Sequence, residues 1–522
     1  MGKKIAYKLR NINPSATIGL MGKQIHVPKE VAEIIARLDS AGYQAYPVGG
    51  SVRDMLSGAR PKDWDVTTSA KPEEITSLFP GSFYENKFLT VTVKTGSEDS
   101  ALKEVEVTTF RAEGKYTDKR HPDEVRFADT LEEDLGRRDF TINAMALNIG
   151  SHKASFQTKS GMDSTVIDPF GGQEDLQRKI IRAVGDPAKR FSEDALRMMR
   201  AVRLATELEF VIEEKTQDAI AKHAGNLRDI AGERIRDELI KIVDNPRAGE
   251  GVRLLQKVGL LSFIIPELEE GIGAENRPRV FTIWEHNLKA FEYGVHAGFA
   301  TDVRIAALLH DVAKPATKGP EKNGEWTFYG HDVVGGKMAA KILTRLHFPR
   351  DTVDKVATLI RWHLFKYDPD EGITDSSVRR LIRRVGAEHM NDLVKVRICD
   401  RMGMGVPKAL PYRLRHFQFR VEKILREEEA PTPKQLKVNG GDVMQVLGSE
   451  PGPTIGRVLE VLLQEVIDDP AKNNREQLMA RIGELGQMPD EELVRIAEAS
   501  ESKIEISEDE RISSIKAKYH VK

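Results

Sequence analysis

The stretch VGGSVRDMLSGARPKDWDVTTS, residues 48–69, carries the strongest local pattern in the chain. A short apolar strand ends at Gly49 and Gly50, and a helix is predicted to begin at about Ser51. Because glycine has no Cβ and a helix N-terminus is electropositive, backbone N–H groups at such a turn can approach a phosphate closely. Arg53 follows one turn into the helix, where its guanidinium can meet the same phosphates. The stretch therefore predicts a phosphate-binding turn between a strand and a helix.

Carboxylates come next in the apparent strand DWDV, where a period of two puts Asp63 and Asp65 on one face and Trp64 on the other. A third carboxylate is offered by Glu106, which alternates with valine in the later strand EVEVTTF. Like charges on one face repel unless a divalent cation lies between them, and Mg²⁺ prefers carboxylates together with substrate phosphates and water. Three carboxylates beside a triphosphate suit two-metal nucleotidyl transfer. We therefore predict a catalytic trio of Asp63, Asp65 and Glu106, with Mg²⁺ on the two aspartates.

The combination G-G-x-x-R, followed ten residues after the arginine by D-x-D, resembles the DNA polymerase β nucleotidyltransferase superfamily. Within it, the closest resemblance is to the class II tRNA nucleotidyltransferase and poly(A) polymerase family. The segment RRDFTINAMAL (137–147) is similar to that family's second motif, and DPFGGQEDL (168–176) to its hinge between head and neck. Asp168 with its glycines is equally explained as an ordinary loop and helix cap. The resemblance implies nucleotide contacts from Gly49, Gly50, Arg53, Arg137, Arg138, Asp139 and Asn143.

Nucleotide choice is predicted from SEDALRMMRAVRLA (192–205), which has the pattern of a helix with Ser192 as its N-cap. Asp194 and Arg197 are three residues apart and therefore neighbours on one face. A carboxylate beside a guanidinium accepts from an exocyclic amine and donates to a ring nitrogen. Cytosine and adenine present that edge, whereas uracil and guanine present the reverse and would leave buried polar groups unpaired. The motif resembles the family's nucleotide-selecting helix, and the predicted row on this face is Asp194, Arg197, Arg200 and Arg203.

Two further segments extend the resemblance. The polar linker FRAEGKYTDKRHPDEVRF (110–127) resembles the flexible loop with which the family switches from CTP to ATP, and its presence favours A addition. Arg234 and Arg236 lie near the family's fifth motif, although a basic pair on a helix surface explains them equally well. The motifs together imply a template-independent enzyme that adds CCA to tRNA 3′ ends from CTP and ATP.

A second unit is rich in histidine. Its segments WEHNLKAF, ALLHDVAKP, FYGHDVVGG, IRWHLF and VRICDRMG place polar side chains in apolar helical surroundings, where a charged histidine is costly unless paired or bound to metal. The set resembles the HD phosphohydrolase superfamily, which implies a second divalent metal and additional phosphohydrolase activity. A scaffold that binds tRNA without catalysis remains an alternative. The candidate ligands are His286, His310, Asp311, His331, His363 and Asp400.

Composition sets the remaining limits. The 522 residues include 79 basic and 81 acidic side chains, so a nucleic-acid partner must rely on local basic patches rather than on net charge. Such a patch is predicted where arginine concentrates, at 379–384, 395–397 and 413–420, although a solvated helix face is an equal alternative. One cysteine, the absence of a signal peptide pattern and the absence of a long apolar run favour a cytoplasmic protein without a membrane partner.

The predicted fold class is α+β: a small mixed-sheet nucleotidyltransferase head, an all-helical neck, an HD-type helical body and a helical tail. We place an extension at 1–25, the head at 26–170, the neck at 171–270, the HD-like domain at 271–426 and the tail at 427–522. Alternatives to CCA addition are a poly(A) polymerase or an A-adding tRNA nucleotidyltransferase. A different class of protein, an HD metal-dependent phosphohydrolase with a degenerate transferase domain, is disfavoured by the intact Asp63, Asp65, Asp194 and Arg197.

Overall fold

The computed structural model describes residues 27–85, 90–113, 125–149, 165–276, 281–323, 325–369, 373–405, 410–429, 436–489, 491–496, 513–514 and 516–520. Two compact units divide the chain. One consists of Met1–Ala274, Val295–Thr301 and Lys341–Val353, and the other of Glu275–Gly294, Asp302–Ala340 and Asp354–Lys522. The predicted extension at 1–25 lies outside the described residues, as does most of the charged carboxyl-terminal stretch.

The first unit begins with a seven-stranded mixed sheet. Its strands are β1 (Ala45–Val48), β2 (Asp65–Thr68), β3 (Phe83–Glu85), β4 (Thr90–Lys94), β5 (Glu104–Thr109), β8 (Ala146–Asn148) and β9 (Thr165–Ile167). The spatial order is β3-β4-β5-β2-β1-β8-β9. β2 and β5 run parallel, and the other neighbours are antiparallel. A separate pair, β6 (Arg111–Glu113) and β7 (Val125–Phe127), forms the two ends of the segment predicted as a flexible loop, whose middle, 114–124, is not described.

Helices pack against this sheet. The head contains α1 (Lys29–Ser40), α2 (Gly50–Ser57), α3 (Pro72–Leu78) and α4 (Leu131–Gly136). Apolar residues of α1 and α3 share a core with the strands, and fully buried aliphatic side chains of this kind each contribute about 1.5–3 kcal/mol. In β5, Val105 and Val107 face that core, whereas Glu106 is exposed. The alternation predicted from the sequence is thus confirmed, and it leaves Glu106 on the face opposite the core.

Helices dominate after the head. They are α5 (Gly172–Arg178), α6 (Pro187–Glu193), α7 (Leu196–Leu208), α8 (Glu214–His223), α9 (Gly232–Val243), α10 (Ala248–Lys257), α11 (Leu261–Ile264) and α12 (Pro266–Glu269). The all-helical neck predicted for 171–270 is wrong in detail, because β10 (Ile180–Ile181) pairs with β11 (Val211–Ile212). α7, α9 and α10 pack closely against one another: a Cβ on Gly251 of α10 would lie 2.6 Å from Ile242 Cγ2 of α9 and 3.1 Å from Thr206 Oγ1 of α7.

The rest of the chain is also helical. It forms α13 (Ile283–His296), α14 (Thr301–Leu309), α15 (His331–Arg345), α16 (Arg350–Trp362), α17 (Asp375–Val385), α18 (Met390–Gly403), α19 (Tyr412–Glu429), α20 (Gly440–Leu447), α21 (Pro453–Asp468) and α22 (Arg475–Gly486). A hairpin of β12 (Gly319–Lys322) and β13 (Glu325–Thr327) precedes α15. The last three helices share an apolar core of their own. None of the helices in the described part of the chain combines the length and apolarity needed to cross a membrane.

The α+β prediction is confirmed, since the seven-stranded sheet is confined to the amino-terminal part and helices follow it. The five-part domain division stays a prediction.

Candidate active site and a second candidate metal centre

The glycine turn predicted from the sequence joins β1 to α2. Gly49 has φ +77°, a conformation that favours glycine. A Cβ at this position would lie 3.1 Å from Arg138 Nη1 and 3.3 Å from Asp65 Oδ2. The buried Ser51 hydroxyl closes the turn by donating to the Val48 carbonyl at 3.0 Å. Glycine is therefore favoured at residue 49 by the backbone conformation, and a Cβ there would also press on two side chains of the site, one of them a predicted catalytic carboxylate.

The three predicted carboxylates come together at the start of β2. Asp65 is paired in register with Val48 of β1 on one side and with Glu106 of β5 on the other. Burial raises the pKa of the Asp65 carboxyl from 3.8 to about 6; Arg138 opposes this rise, and the charges of Glu106 and Asp63 add to it. Mutual repulsion at a partly buried position is the electrostatic condition that a divalent cation relieves.

One detail of the carboxylate prediction is wrong. β2 begins at Asp65, and Asp63 lies in the bend before it rather than in a strand DWDV. Trp64 nevertheless points into the core at 3% exposure, so the two aspartates are still directed away from it. The strand begins late because residue 65 is the first to pair with both neighbouring strands.

A chain of contacts joins four predicted nucleotide-binding residues. Arg53 Nη1 donates to Asn143 Oδ1 at 2.9 Å, and Asn143 Nδ2 donates to Asp139 Oδ1 at 3.2 Å. Arg200 Nη2 lies 2.7 Å from the other Asp139 oxygen. Burial alone would raise the pKa of Asp139, but Arg200 and Asn143 more than offset it and hold this pKa below its usual range. The ionised carboxylate of Asp139 thus links three parts of the chain: α2, the segment that follows α4, and α7.

Asp134 was missed by the sequence reasoning, although it orients both predicted arginines of RRDF. Its side chain is fully buried and accepts from Arg137 Nε and Nη2 at 3.0 and 2.9 Å, and from Arg138 Nη2 at 3.3 Å. Thr67 Oγ1 and the Arg111 N–H also donate to it, at 3.1 and 3.3 Å. The available signal was an acidic residue three and four positions before two arginines at the end of a helix. Arg138 Nε is buried without a hydrogen-bond partner among the described residues, so this guanidinium has a free donor beside Asp65.

The predicted single helix over 192–205 is wrong. α6 ends at Glu193, Asp194 is extended with φ −143° and ψ 106°, and α7 begins at Leu196. Ser192 lies inside α6, where its hydroxyl donates to the Lys189 carbonyl. The chain breaks here because Asp186 and Pro187 start α6 early, and Asp194 Oδ1 then accepts from the Leu196 N–H at the start of the next helix.

The Asp194 and Arg197 side chains have separate sets of contacts in this structure, although the Arg197 N–H donates to the Asp194 carbonyl at 3.1 Å. Arg234 Nη2 lies 2.8 Å from Asp194 Oδ2, which links α9 to the helix break. The Arg197 guanidinium donates to Glu193 Oε2 at 2.7 Å, to the Arg190 carbonyl at 3.2 Å and to the Arg137 carbonyl at 3.1 Å. Arg197 is only 8% exposed, so its position is tightly fixed. Glu193, which belongs to the E-D-x-x-R pattern of the predicted selecting helix, and Arg234, which lies near the predicted fifth motif, each hold one half of the predicted selecting pair.

Other predicted residues have structural contacts. Arg203 Nε donates to Glu238 at 2.7 Å and Nη1 to Glu207 at 2.9 Å, so this side chain joins α7 to α9. Its place in the nucleotide-binding row stays a prediction. Asp168 accepts from the Gly172 and Gln173 N–H groups at 2.7 and 2.8 Å, which is the helix-cap arrangement.

The histidine-rich residues form a buried cluster within the second unit. His286 Nε2 lies 3.2 Å and His310 Nε2 3.3 Å from Asp311 Oδ2, and the two imidazole nitrogens are 2.9 Å apart. On the other side, His331 Nε2 is 3.2 Å and His363 Nε2 is 3.8 Å from Asp311 Oδ1. Asp400 Oδ1 completes the set at 3.3 Å from His286 Nε2. All six predicted ligands thus direct a nitrogen or oxygen atom into one space.

Three of these imidazoles are held in the same way. Nδ1 of His310, His331 and His363 lies 2.8, 2.6 and 2.6 Å from the carbonyl oxygen three residues earlier in the chain. A carbonyl accepts only from a protonated nitrogen, so Nδ1 carries the hydrogen and Nε2 is left as the ligand atom. Nε2 of His331 and of His363 is buried without a hydrogen-bond partner among the described residues. A divalent metal ion fits this donor set, because it would satisfy these nitrogens together with the carboxylates.

Two cations brace the carboxylates of this cluster, and both were missed by the sequence reasoning. Lys314 Nζ lies 2.6 Å from Asp311 Oδ2 and donates to Asn276 Oδ1 at 2.7 Å. Arg397 Nη1 donates to Asp400 Oδ2 at 2.7 Å. Each cation stands three residues from its carboxylate on the chain, which is the signal that the sequence offered.

Comparison with known proteins matches three stretches of the chain to family models. Residues 45–182 match the family model described as "Poly A polymerase head domain", residues 209–272 match "Probable RNA and SrmB- binding site of polymerase A", and residues 325–482 match a tRNA nucleotidyltransferase domain 2. A CCA-adding enzyme of Levilactobacillus brevis is 32% identical over 88% of this chain and 98% of its own length. An A-adding tRNA nucleotidyltransferase of Deinococcus radiodurans is 32% identical over 80% of this chain and 90% of its own.

A solved structure agrees with these relatives. The Bacillus stearothermophilus CCA-adding enzyme in complex with CTP superposes with a TM-score of 0.54 at 28% identity, over 88% of this chain and 98% of that one. The chain therefore belongs to the tRNA nucleotidyltransferase family, and its activity is that of a CCA-adding or A-adding enzyme.

Proposed function

We propose that this protein adds C, C and A to the 3′ end of tRNA, using CTP and ATP. The observation that carries the proposal is the register of β1, β2 and β5, which sets Asp65 beside Glu106 and against the turn at Gly49. The relatives named as CCA-adding enzymes, and the solved relative bound to CTP, support the same activity. We also propose that the protein is cytoplasmic and that it has the five domains predicted from the sequence.

The residues around Asp65 fit a divalent cation. Asp63 and Asp65 would hold it with Glu106 as the third carboxylate, since burial and then the charges of Glu106 and Asp63 raise the pKa of Asp65, and a bound cation would offset both effects. Bound Mg²⁺ in a two-metal arrangement would lower the pKa of the attacking 3′-hydroxyl and stabilise the leaving pyrophosphate.

The chain's own residues bind and orient the triphosphate in this proposal. The turn at Gly49 exposes backbone N–H groups at the start of α2, and Arg138 provides a guanidinium with a free donor beside Asp65. Asp134 fixes Arg138 from behind, and Asp139 ties Arg53 to Arg200 through Asn143. Because these donors are held before the nucleotide arrives, little conformational entropy is lost when it binds.

Selection of C and A is assigned to Asp194 and Arg197. Arg197 is held by Glu193 and two backbone carbonyls, which leaves its position little freedom to adapt to a different base edge. Asp194 is restrained by Arg234 and by the start of α7. A fixed carboxylate and a fixed guanidinium would accept the amine-and-acceptor edge of cytosine and adenine and reject the reverse edge.

Extension assays on three tRNA transcripts test the activity. The transcripts end before CCA, after C and after CC, and each is offered single nucleotides or CTP with ATP. Addition of C, C and A followed by a stop supports the proposal. A addition only to the transcript ending in CC would make this an A-adding enzyme, and growth of an A tract would make it a poly(A) polymerase. Asp65→Asn should abolish extension, whereas Asp129→Asn, at an exposed carboxylate of the same unit, should not.

A second function is favoured by the buried histidine cluster. We propose that His286, His310, Asp311, His331, His363 and Asp400 bind a divalent metal and that the centre hydrolyses a phosphate ester. The partnerless Nε2 atoms of His331 and His363 carry this proposal, because unpaired buried nitrogens are costly unless a ligand satisfies them.

Metal content after dialysis tests the centre directly. The wild type and His296→Ala, at an exposed histidine, should retain the ion, whereas His331→Ala and Asp311→Ala should lose it. Equal metal content in all four proteins would refute the proposed metal site. Hydrolysis of p-nitrophenyl phosphate by the wild type and not by His331→Ala would establish catalysis, and metal without hydrolysis would leave a structural ion.

A further inference from the structure

A cavity of about 260 Å³ lies in the second unit, outside both sites described above. Its wall is formed by the end of α16 with the segment that follows, by α17 and by one residue of α19. Aromatic rings from three of its positions, Trp362, Phe365 and Tyr367, are only partly buried, and the buried ring of Phe417 also lines it. Phe365 and Tyr367 contact Phe417 with ring centroids 4.4 and 5.0 Å apart. The cavity therefore has a rigid apolar wall that remains open to a ligand.

The rim of this cavity is cationic. Lys366, Arg380 and Arg384 line it and are exposed. None of the three has a carboxylate partner among the described residues: Arg380 bonds to the hydroxyls of Ser376 and Ser377, and Arg384 lies 5.2 Å from the centre of the Trp362 ring. Most other arginines with contacts in this unit are neutralised, as Arg420 is by Asp375. Uncompensated positive charge beside aromatic rings indicates an anionic ligand with a flat apolar part.

We propose that this cavity binds one unstacked nucleotide of an RNA strand, with the base against the aromatic wall and its phosphate against Lys366 and Arg384. RNA-binding proteins recognise splayed bases by stacking them on aromatic side chains and arginine planes. Pockets for drug-sized ligands measure about 300–1,000 Å³, so this volume suits a single base rather than two.

The rest of α17 indicates that the bound nucleotide belongs to an RNA strand and is not a free mononucleotide. This helix carries four arginines in eleven residues, and its buried face is Val378, Ile382 and Val385. Arg383 is exposed, so the positive charge continues past the rim along the helix, as a phosphate backbone requires and a mononucleotide does not. The assignment of the ligand as RNA rests on the proposed tRNA substrate. The inference that the cavity binds a flat anionic ligand does not.

The test is fluorescence anisotropy with the full chain and two probes, a labelled octauridylate and a labelled tRNA transcript that ends in CC. Trp362→Leu should weaken binding about 5- to 150-fold, the range that corresponds to loss of one stacked base, and leave the salt dependence unchanged. Lys366→Gln with Arg384→Gln should weaken binding and lower the salt slope by about 0.7, since one neutralised phosphate of a single strand contributes about 0.7. Arg495→Gln removes an 80% exposed arginine of the same unit and should bind as the wild type does.

The outcomes are separable. If Trp362→Leu does not fold, the Lys366 and Arg384 double variant, at exposed positions, decides alone. Affinity within twofold of the wild type in the folded variants would overturn the pocket. Displacement of octauridylate by UMP at equal affinity would overturn the RNA assignment in favour of a mononucleotide site. Failure of the CCA proposal would appear as absent extension of every transcript, while octauridylate binding would still report on this pocket.

Discussion

Replacement of Asp134 by asparagine tests whether one buried carboxylate organises the active site. Asparagine has the same shape but keeps a single accepting oxygen and no charge. The carboxylate accepts five hydrogen bonds, three of them from Arg137 and Arg138. Removing one partner of a buried ion pair typically costs about 3–5 kcal/mol, because the remaining charge is left uncompensated. We expect Asp134→Asn to lose about that much local stability, and the transfer rate to fall with it.

Native-state hydrogen exchange measures this loss without requiring the two units to unfold together. Amides of β2 and of 140–148 should exchange at least about 100-fold faster in the variant, since each 1.4 kcal/mol is tenfold. Asp129 is an exposed carboxylate five residues earlier, and Asp129→Asn should change the free energy of opening measured by exchange by less than about 0.5 kcal/mol. Unchanged exchange in β2, with full activity, would refute the role assigned to Asp134.

The pH dependence of the stability difference between the wild type and Asp134→Asn provides a second check. Burial raises the pKa of Asp134, but Arg137 and Arg138 more than offset it, so the folded pKa lies below 3.8. A depressed folded pKa contributes stability above the unfolded value, and the contribution is lost only as the pH falls through the folded value. The difference in stability between the wild type and Asp134→Asn should therefore be the same at pH 8 and at pH 5. A difference that vanished by pH 5 would show that the carboxyl is not ionised in the folded protein.

Three further changes follow from close contacts in the first unit. Gly49→Ala should reduce transfer at least about 100-fold, because its Cβ would press on Asp65 and the positive φ costs roughly 1–2 kcal/mol; single-turnover extension measures it. Arg234→Ala should relax the preference for C and A, since it frees Asp194 from its 2.8 Å contact; misincorporation of UTP and GTP reports this. Gly251→Ala should destabilise the α7–α10 contact by about 1–3 kcal/mol, measured by denaturant unfolding.

Each of these changes has a matched control. Gly50→Ala places its Cβ at an ordinary 3.6 Å from Arg53, so loss of activity there equal to that of Gly49→Ala would contradict the packing argument. Arg236→Ala on the same helix should leave nucleotide choice intact. Gly456→Ala, in a helix with open space around the new Cβ, should stabilise by up to about 1 kcal/mol.

The sequence predicted the parts of the active site that depend on local spacing. The glycine turn, the period-two alternation of Glu106 with buried valines, and the six converging HD residues were all visible as patterns. The register between β2 and β5 was not, since strands about 40 residues apart pair according to the whole sheet. The sequence therefore proposed Glu106 as a third carboxylate without showing that it lies directly beside Asp65.

The helix break at Asp194 shows a different limit. The apolar spacing of 192–205 is compatible with one helix, but α6 begins at Pro187 and ends at Glu193, and Asp194 Oδ1 accepts from the Leu196 N–H where α7 begins. The signal Asp186-Pro187 was present in the sequence, and it fixes the start of α6. The partners of Asp194 and Arg197 depend on α9 and on the segment after α4, which no local pattern reports.

The two compact units are not consecutive stretches of chain. Val295–Thr301 and Lys341–Val353 belong to the first unit, where Thr301 donates to Asp244 at 2.6 Å and Arg345 binds Glu267 at 2.7 Å. A fragment that ends at Ala274 would therefore expose surfaces that these later segments cover, and a fragment that begins there would carry two orphan segments. Expression of either half alone is a poor way to isolate one activity. Point substitution in the intact chain keeps both units whole, and recombination between relatives would have to exchange three segments at once.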